Sequence, residues 1–252
     1  MLEVDRQKMM LHHLRVNGSG NVADLAEALG VSPSTVRRDL ADLSDRRLLT
    51  RVRGGASLSG VQTEPTRSRR AISHEPEKRR IGAAAADRVA DGTTLLISGG
   101  TTTEAMVPFL ADKDRLTVLT NALNIANQLS LYPGITVVVL GGILRHEEMS
   151  LLGPIAERTL AEFHVDTAFY SAFGIDARHG LYGAHALEAS TDRSLLASAT
   201  SLTVLADHTK FGQRGPVRLA PPGVIDCLIT DASADTPTLT ALRAQGVEIV
   251  TC

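Results

Sequence analysis

The chain has 252 residues, 43% of them hydrophobic, enough for one sizeable core and a smaller second one. Its formal charge of −2 conceals an asymmetry: residues 1–80 carry 15 Lys and Arg against 10 Asp and Glu, while residues 81–252 carry 11 against 18. A basic end suited to a polyanion is thus joined to an acidic body. No run approaches the roughly 20 apolar residues of a membrane span, and the opening residues lack the basic-then-apolar layout of a secretory signal, so a cytoplasmic location with no membrane partner is expected. Two cysteines, Cys227 in an apolar run and Cys252 at the last position, suggest neither a disulfide framework nor a metal cluster. No metal or cofactor is expected.

Met10, Leu11 and Leu14 form an apolar stripe at helical spacing, and Asn17-Gly18-Ser19-Gly20 ends that first helix. Asn21 is suited to cap a second helix, with Val22, Leu25, Ala26 and Leu29 on one face and Gly30 at its end. Ser32 and Pro33 then restart a helix at once, as cap and first helical residue. In this third helix Val36, Leu40 and Leu43 share one face, while Ser34, Arg37, Arg38 and Ala41 centre on the other. A short helix, a tight turn and a capped helix bearing hydroxyls and paired arginines make a helix-turn-helix, whose second helix enters the major groove of DNA. Ser32, Ser34 and Thr35 are candidates to hold phosphates, and Arg37 or Arg38 to reach bases. After it, the alternation from Leu48 through Arg51 and Arg53 into Gly54-Gly55 suggests a basic β-ribbon wing touching backbone or minor groove. Residues 1–56 are read as this winged DNA-binding domain.

Residues 57–75 mix Ser, Gly, Gln, Thr and Pro with Arg67, Arg69 and Arg70 and show no sustained apolar period, so they read as a linker. Its arginines either add nonspecific DNA affinity or are simply solvated. Residues 76–252 alternate helical segments with apolar runs at 93–98, 116–120, 135–140, 166–171, 201–206 and 224–230, and a last one at 247–251. That pattern predicts an α/β domain with an open, mainly parallel sheet covered on both faces.

Nearly every polar or glycine motif follows one of those strands, at the edge where parallel sheets bind ligands. Ser98-Gly99-Gly100-Thr101-Thr102-Thr103 follows the first, and its glycines and hydroxyls suit an anion such as phosphate, although it is neither GxGxxG nor a Walker A loop. Asn121 follows the second strand, Gly141-Gly142 the third and Gly174-Ile175-Asp176 the fourth. After the fifth come Asp207, a candidate acceptor for hydroxyls, and Lys210, a candidate phosphate partner. Glu188 is a further carboxylate candidate. His185 and His208 read as surface or structural, and Arg145-His146-Glu147-Glu148 as solvated loop.

The stretch VADLAEALGVSPSTVRRDLADL at 22–43, followed by LLTRVRGGA at 48–56, closely resembles the N-terminal signature of the DeoR family of sugar-responsive regulators. The resemblance continues through EKRRIGAAAA at 77–86, GGTTTEAM at 99–106, TN at 120–121, GGILR at 141–145, LLGPIA at 151–156, GID at 174–176, GLY at 180–182, EA at 188–189 and ADHTKFG at 206–212. It implies a sensor domain similar in fold to ribose-phosphate isomerases and coenzyme A transferases, with phosphorylated sugars or related metabolites as effectors. Gly100, Thr101, Thr102, Asn121, Gly142, Glu188 and Lys210 become ligand candidates by that resemblance. The chain departs from it at Ser98, often Asp in the family, at Asp192, often Lys, and at Ala122, often Ser.

The expected function is a sequence-specific DNA-binding regulator, with repression inferred from the family alone. It would act as a homo-oligomer on repeated or palindromic half-sites, controlled by a phosphorylated ligand. Two other readings compete with it. One is an isomerase-like enzyme using Asp207, Glu188 and Lys210; the other is an architectural DNA binder that senses nothing.

Overall fold

The computed structural model describes residues 2–17, 19–46, 48–52, 54–57 and 65–252, and the chain divides into two compact units, Met1–Thr66 and Arg67–Cys252.

The first unit contains α1 (Glu3–Asn17), β1 (Ser19–Asn21), α2 (Val22–Leu29), α3 (Pro33–Asp45), β2 (Thr50–Val52) and β3 (Gly55–Ser57). Both capping expectations hold: the Asn21 side chain accepts from the Asp24 N–H, and the Ser32 hydroxyl from the Thr35 N–H. Gly30 closes α2 in the left-handed conformation, φ 63°. Met10, Leu14, Leu25, Leu29, Val36, Leu40, Leu43 and Leu49 form the core. The wing is a three-stranded antiparallel sheet of order β1-β3-β2. Its first strand comes from Ser19-Gly20-Asn21, part of the segment read from sequence only as a helix stop; three residues are too few to show a strand period.

The second unit runs α4 (Arg67–Ile72), α5 (Glu75–Ala86), β4 (Thr94–Ile97), α6 (Thr101–Glu104), β5 (Leu116–Thr120), α7 (Leu123–Leu129), β6 (Ile135–Val139), β7 (Ile143–Arg145), β8 (Ser150–Leu152) and α8 (Pro154–Ala161). It continues with β9 (Val165–Tyr170), β10 (Gly174–Asp176), β11 (Gly180–Gly183), α9 (Ala189–Leu196), β12 (Ala199–Leu205), β13 (Val217–Ala220), β14 (Cys227–Thr230), α10 (Thr236–Arg243) and β15 (Glu248–Thr251). Seven strands form one all-parallel sheet of order β15-β14-β12-β9-β4-β5-β6. Each corresponds to an apolar run seen in the sequence.

Alternate side chains of these strands feed two cores, one per face. Leu95, Ile97 and Val118 pack with Ile81, Ala85, Ile125 and Leu129 from α5 and α7. Leu96, Leu119 and Val204 pack with Leu160, Leu195 and Leu242 from α8, α9 and α10. Burial on both faces explains why the central strands β4, β5, β9 and β14 read as apolar runs, while the edge strands β6 and β15 are partly exposed. The hairpin β7-β8 and the antiparallel sheet β10-β11-β13 lie outside that pattern and were not foreseen.

The linker expectation needs correcting in part. Residues 67–72 and 75 onward are helical, and Arg67 and Arg70 are held in ion pairs with Glu104 and Glu148; the polar composition is that of a helix anchored by charge. Residues 58–64 of that stretch lie outside the described residues.

Candidate functional site

Two separate sites take shape. In the first unit, α3 buries Val36, Asp39, Leu40 and Leu43 and leaves Ser32, Ser34, Arg37 and Arg38 exposed. The Ser32 hydroxyl lies 2.7 Å from that of Ser34 and 2.9 Å from that of Thr35, so three hydroxyls gather at the start of a 13-residue helix. That end carries partial positive charge and suits a phosphate. Asp39 is buried and receives both Nε and Nη2 of Arg6, which fixes α3 to α1 and turns Arg37 and Arg38 outward. Arg51 is exposed on β2, and Arg53 lies outside the described residues.

In the second unit the strand order reverses direction between β4 and β9: β5 and β6 extend one way from β4, and β9, β12, β14 and β15 the other. Open parallel sheets bind ligands at such a switch, beyond the strands' carboxyl ends. Ser98–Thr103 leaves β4 at this point. The Gly99 N–H donates to Asn121 Oδ1 at 3.0 Å, joining the loops after β4 and β5, and the Ser171 N–H, just after β9, donates to the Ser98 hydroxyl at 3.2 Å. A side chain at Gly100, φ 153°, would place its Cβ 2.6 Å from the Ser171 Cβ, so only glycine fits. The Thr103 hydroxyl donates to the Ser98 and Gly100 carbonyls and fastens the loop from within. Ser98 and Thr103 therefore build the loop, while Gly99 is tied to Asn121 and Thr101 and Thr102 are buried in the turn that follows.

The remaining candidates are spread along the edge. Neighbouring strands lie about 4.8 Å apart, so the loops after β6 and β12 each start about 10 Å from that after β4, on opposite sides. Gly141 and Gly142 seat the β7-β8 hairpin: a Cβ on Gly142 would lie 2.5 Å from the Leu152 carbonyl oxygen. Asp207 is buried, and its Oδ1 accepts from the N–H and hydroxyl of Thr209, capping the turn that carries Lys210. Glu188 is ion-paired with Arg145. His208 donates its backbone N–H to buried Asp231 and sets its Nδ1 3.0 Å from Oδ2 of that residue, in keeping with a structural role.

Sequence reasoning missed a set of contacts around α4. Arg67 pairs with Glu104 at the end of α6, and Glu104 also accepts from Gln128 at 2.7 Å. Arg70 pairs with Glu148 in the β7-β8 turn, so the segment 145–148 that read as solvated loop places both Arg145 and Glu148 in half-buried ion pairs. Lys78 is buried in α5 and donates its Nζ to the carbonyls of Arg70 and Ser73 at the end of α4. Burial pushes its ammonium down to about 8, with nearby Asp207 opposing the shift and Lys210 and Arg70 adding to it. In sequence Lys78 is one member of the charged run EKRR, and nothing local marks it as buried.

Residues 6–60 match the model of a DeoR-like helix-turn-helix domain and residues 73–232 that of a DeoR C-terminal sensor domain. The chain is 30% identical to the glycerol-3-phosphate regulon repressor of Escherichia coli over the full length of both chains. It is 33% identical to the transcriptional repressor GlcR of Bacillus subtilis, over 99% of this chain and 96% of the relative. Among solved structures, ribose 5-phosphate isomerase A from Methanocaldococcus jannaschii is 19% identical and aligns over 55% of either chain with a TM-score of 0.42.

Proposed function

We propose that this chain, which belongs to the DeoR family of helix-turn-helix regulators, represses carbohydrate-metabolism genes under the control of a phosphorylated sugar or related metabolite bound at the carboxyl edge of its sheet. It acts in the cytoplasm as a homo-oligomer on repeated or palindromic half-sites. The observation that carries this reading is the union of an outward-facing Arg37-Arg38 pair on α3 with a glycine-threonine loop, Ser98–Thr103, at the sheet's switch point.

The phosphate rests against Gly99, Gly100, Thr101 and Thr102 beside Asn121, and Lys210, whose loop starts about 10 Å away on the β12 side, meets the far end of the ligand. Effector binding changes DNA affinity only if the two states of the protein hold the effector unequally. The route runs through α4, the first helix after the DNA-reading unit in the chain. Glu104, at the end of the helix that leaves the phosphate loop, holds Arg67, and Lys78 holds the end of α4 beside Asp207. An enzymatic role is disfavoured because the two carboxylates that would serve as acid and base are engaged, Glu188 by Arg145 and Asp207 by Thr209.

The test is binding of the full chain to DNA from its own genomic neighbourhood, with sugar phosphates and glycerol 3-phosphate added. The reading requires preference over random duplex, weakened by one of the phosphates, and about tenfold or greater loss of specific affinity in Arg38→Ala or Arg37→Ala. Absence of sequence preference, or catalytic turnover of a sugar phosphate that disappears in Glu188→Ala, refutes it.

A further inference from the structure

Among the described residues, four buried side-chain polar atoms have no hydrogen-bond partner: Nδ2 and Oδ1 of Asn124, Oγ of Ser150 and Oγ1 of Thr230. Proteins seldom bury such groups unpaired, because the lost hydration is not replaced. All three residues lie at the carboxyl edge of the sheet. Asn124 is in the first turn of α7, just after β5; Thr230 ends β14; Ser150 opens β8, in the hairpin folded over the Asn121 loop.

Ser150 stands nearest the crevice. It bridges to Ala122, and the next residue, Leu151, donates its N–H to the Asn121 carbonyl at 2.7 Å. A Cβ built on Gly99 would lie 3.6 Å from the Ala122 Cβ, 3.7 Å from the Ser150 Cβ and 3.8 Å from Asn121 Oδ1, so these three side chains wall the space over Gly99. The carboxylates nearby, Glu148 and Glu188, are each paired with an arginine, which leaves the hydroxyl of Ser150 as a donor suited to an anion.

We propose that Ser150 is a direct effector contact whose hydroxyl donates to an oxygen of the phosphate held over Gly99. This deepens the phosphate-site reading above and rests on it. The same contact makes the β7-β8 hairpin sense occupancy, because Ser150 is two residues from Glu148, which holds Arg70 of α4. The unliganded protein buries this hydroxyl without a partner and the liganded one satisfies it. Ser150 therefore favours the effector-bound arrangement, as a contact made in only one state must.

The experiment measures binding of inorganic phosphate and of glycerol 3-phosphate to the full chain by calorimetry, for wild type, Ser150→Ala and Gly99→Ala. Ser150→Ala is expected to bind both probes about ten- to a hundredfold more weakly, the loss typical of a hydrogen bond to a charged group. Its unliganded melting temperature should be unchanged or higher, since no bond is lost. Wild-type affinity in Ser150→Ala, or a fall in its unliganded melting temperature, overturns the assignment. If Gly99→Ala loses the probes and Ser150→Ala does not, only the Ser150 assignment falls. If the wild type binds neither probe, the phosphate site falls and the assignment with it.

Discussion

Adjacent glycines in the loop after β4 are expected to respond in opposite ways to the same added methyl group. At Gly100 the new Cβ would sit 2.6 Å from the Ser171 Cβ, about 1 Å inside normal carbon contact, on a backbone with φ 153°. Overpacking contributes about 1–3 kcal/mol and the backbone strain about as much again, so Gly100→Ala should destabilise the second unit by about 2–5 kcal/mol. For a unit of this size that is a fall in melting temperature of about 5–20 °C. At Gly99 the Cβ meets nothing closer than 3.6 Å and the backbone is unstrained, so Gly99→Ala should change stability by less than about 1 kcal/mol. The Gly99 methyl, however, enters the space between Asn121 and Ser150 and should weaken phosphate binding by about five- to a hundredfold. Circular dichroism melts and calorimetric titration of both variants make the comparison. A Gly99→Ala protein that binds phosphate like wild type, or a Gly100→Ala protein with an unchanged melting temperature, would refute the placement of the anion and of the loop respectively.

Three further outcomes are expected. Asp39→Ala leaves Arg6 without its main partner inside the small first unit, a loss of about 3 kcal/mol or more, so DNA binding should fail while phosphate binding persists; intact DNA affinity would show that the pair does not position α3. Glu148→Gln cuts the hairpin from Arg70 and should leave phosphate binding within about twofold of wild type but reduce the effector-induced change in DNA affinity by about two- to thirtyfold, measured by fluorescence anisotropy with and without effector. Lys78 titrates at about 8 in the folded chain against 10.5 ordinarily, so between those values the unfolded chain binds a proton that the folded one does not. Its contribution to stability should therefore rise with pH across that window, by at most about 1.4 kcal/mol per pH unit, and be least favourable below pH 8. Urea denaturation of wild type and Lys78→Met from pH 7.5 to 10 checks this, and a wild-type stability that stays flat or falls relative to the variant as pH rises contradicts it.

What the sequence reveals and what it conceals divide along a physical line. The seven parallel strands were legible as apolar runs, the central ones because both of their faces are buried, and α2 and α3 because Asn21, Gly30, Ser32 and Pro33 act on their immediate neighbours. Strands β1, β7, β8, β10, β11 and β13, three or four residues long, do not stand out as apolar runs, and long-range pairing defines them. The loop Ser98–Thr103 was legible as chemistry, yet the division of labour within it was not. Nothing local shows that the Ser98 hydroxyl faces Ser171 or that Thr103 ties the loop to itself. Lys78, Arg70, Arg145 and Glu148 belong to charged runs whose usual state is solvated, and only tertiary packing turned them into an anchored network. Ser171, at the end of an apolar run, and Ser150, in a polar stretch, carried no signal, since nothing in their neighbours marks either one.

The geometry at Ser98 bears on which effector the crevice favours. Its hydroxyl accepts the Ser171 N–H and so joins β4 to β9 across the switch point. A carboxylate at this position could accept the same bond with one oxygen and offer the other to a sugar hydroxyl, whereas serine has a single uncharged oxygen, whose own donor lies 3.4 Å from the Gly99 carbonyl. The phosphate contacts proposed for Gly99, Gly100 and the loop after β5 do not depend on that difference. On the reading proposed above, discrimination among phosphorylated ligands falls to other groups along the edge: the loop after β9, one strand step from β4, the hairpin side near Ser150, and the β12 side near Lys210. A ligand long enough to reach from the β4 loop to Lys210 spans two strand steps, about 10 Å, a distance that the lysine's own reach shortens. Ligands that carry their phosphate at one end of a short polyol chain meet this demand, and a bare phosphate ion does not. The two probes therefore measure different halves of one site: inorganic phosphate reports the Gly99–Ser150 end alone, and the excess affinity of a phosphate ester reports what the far side adds.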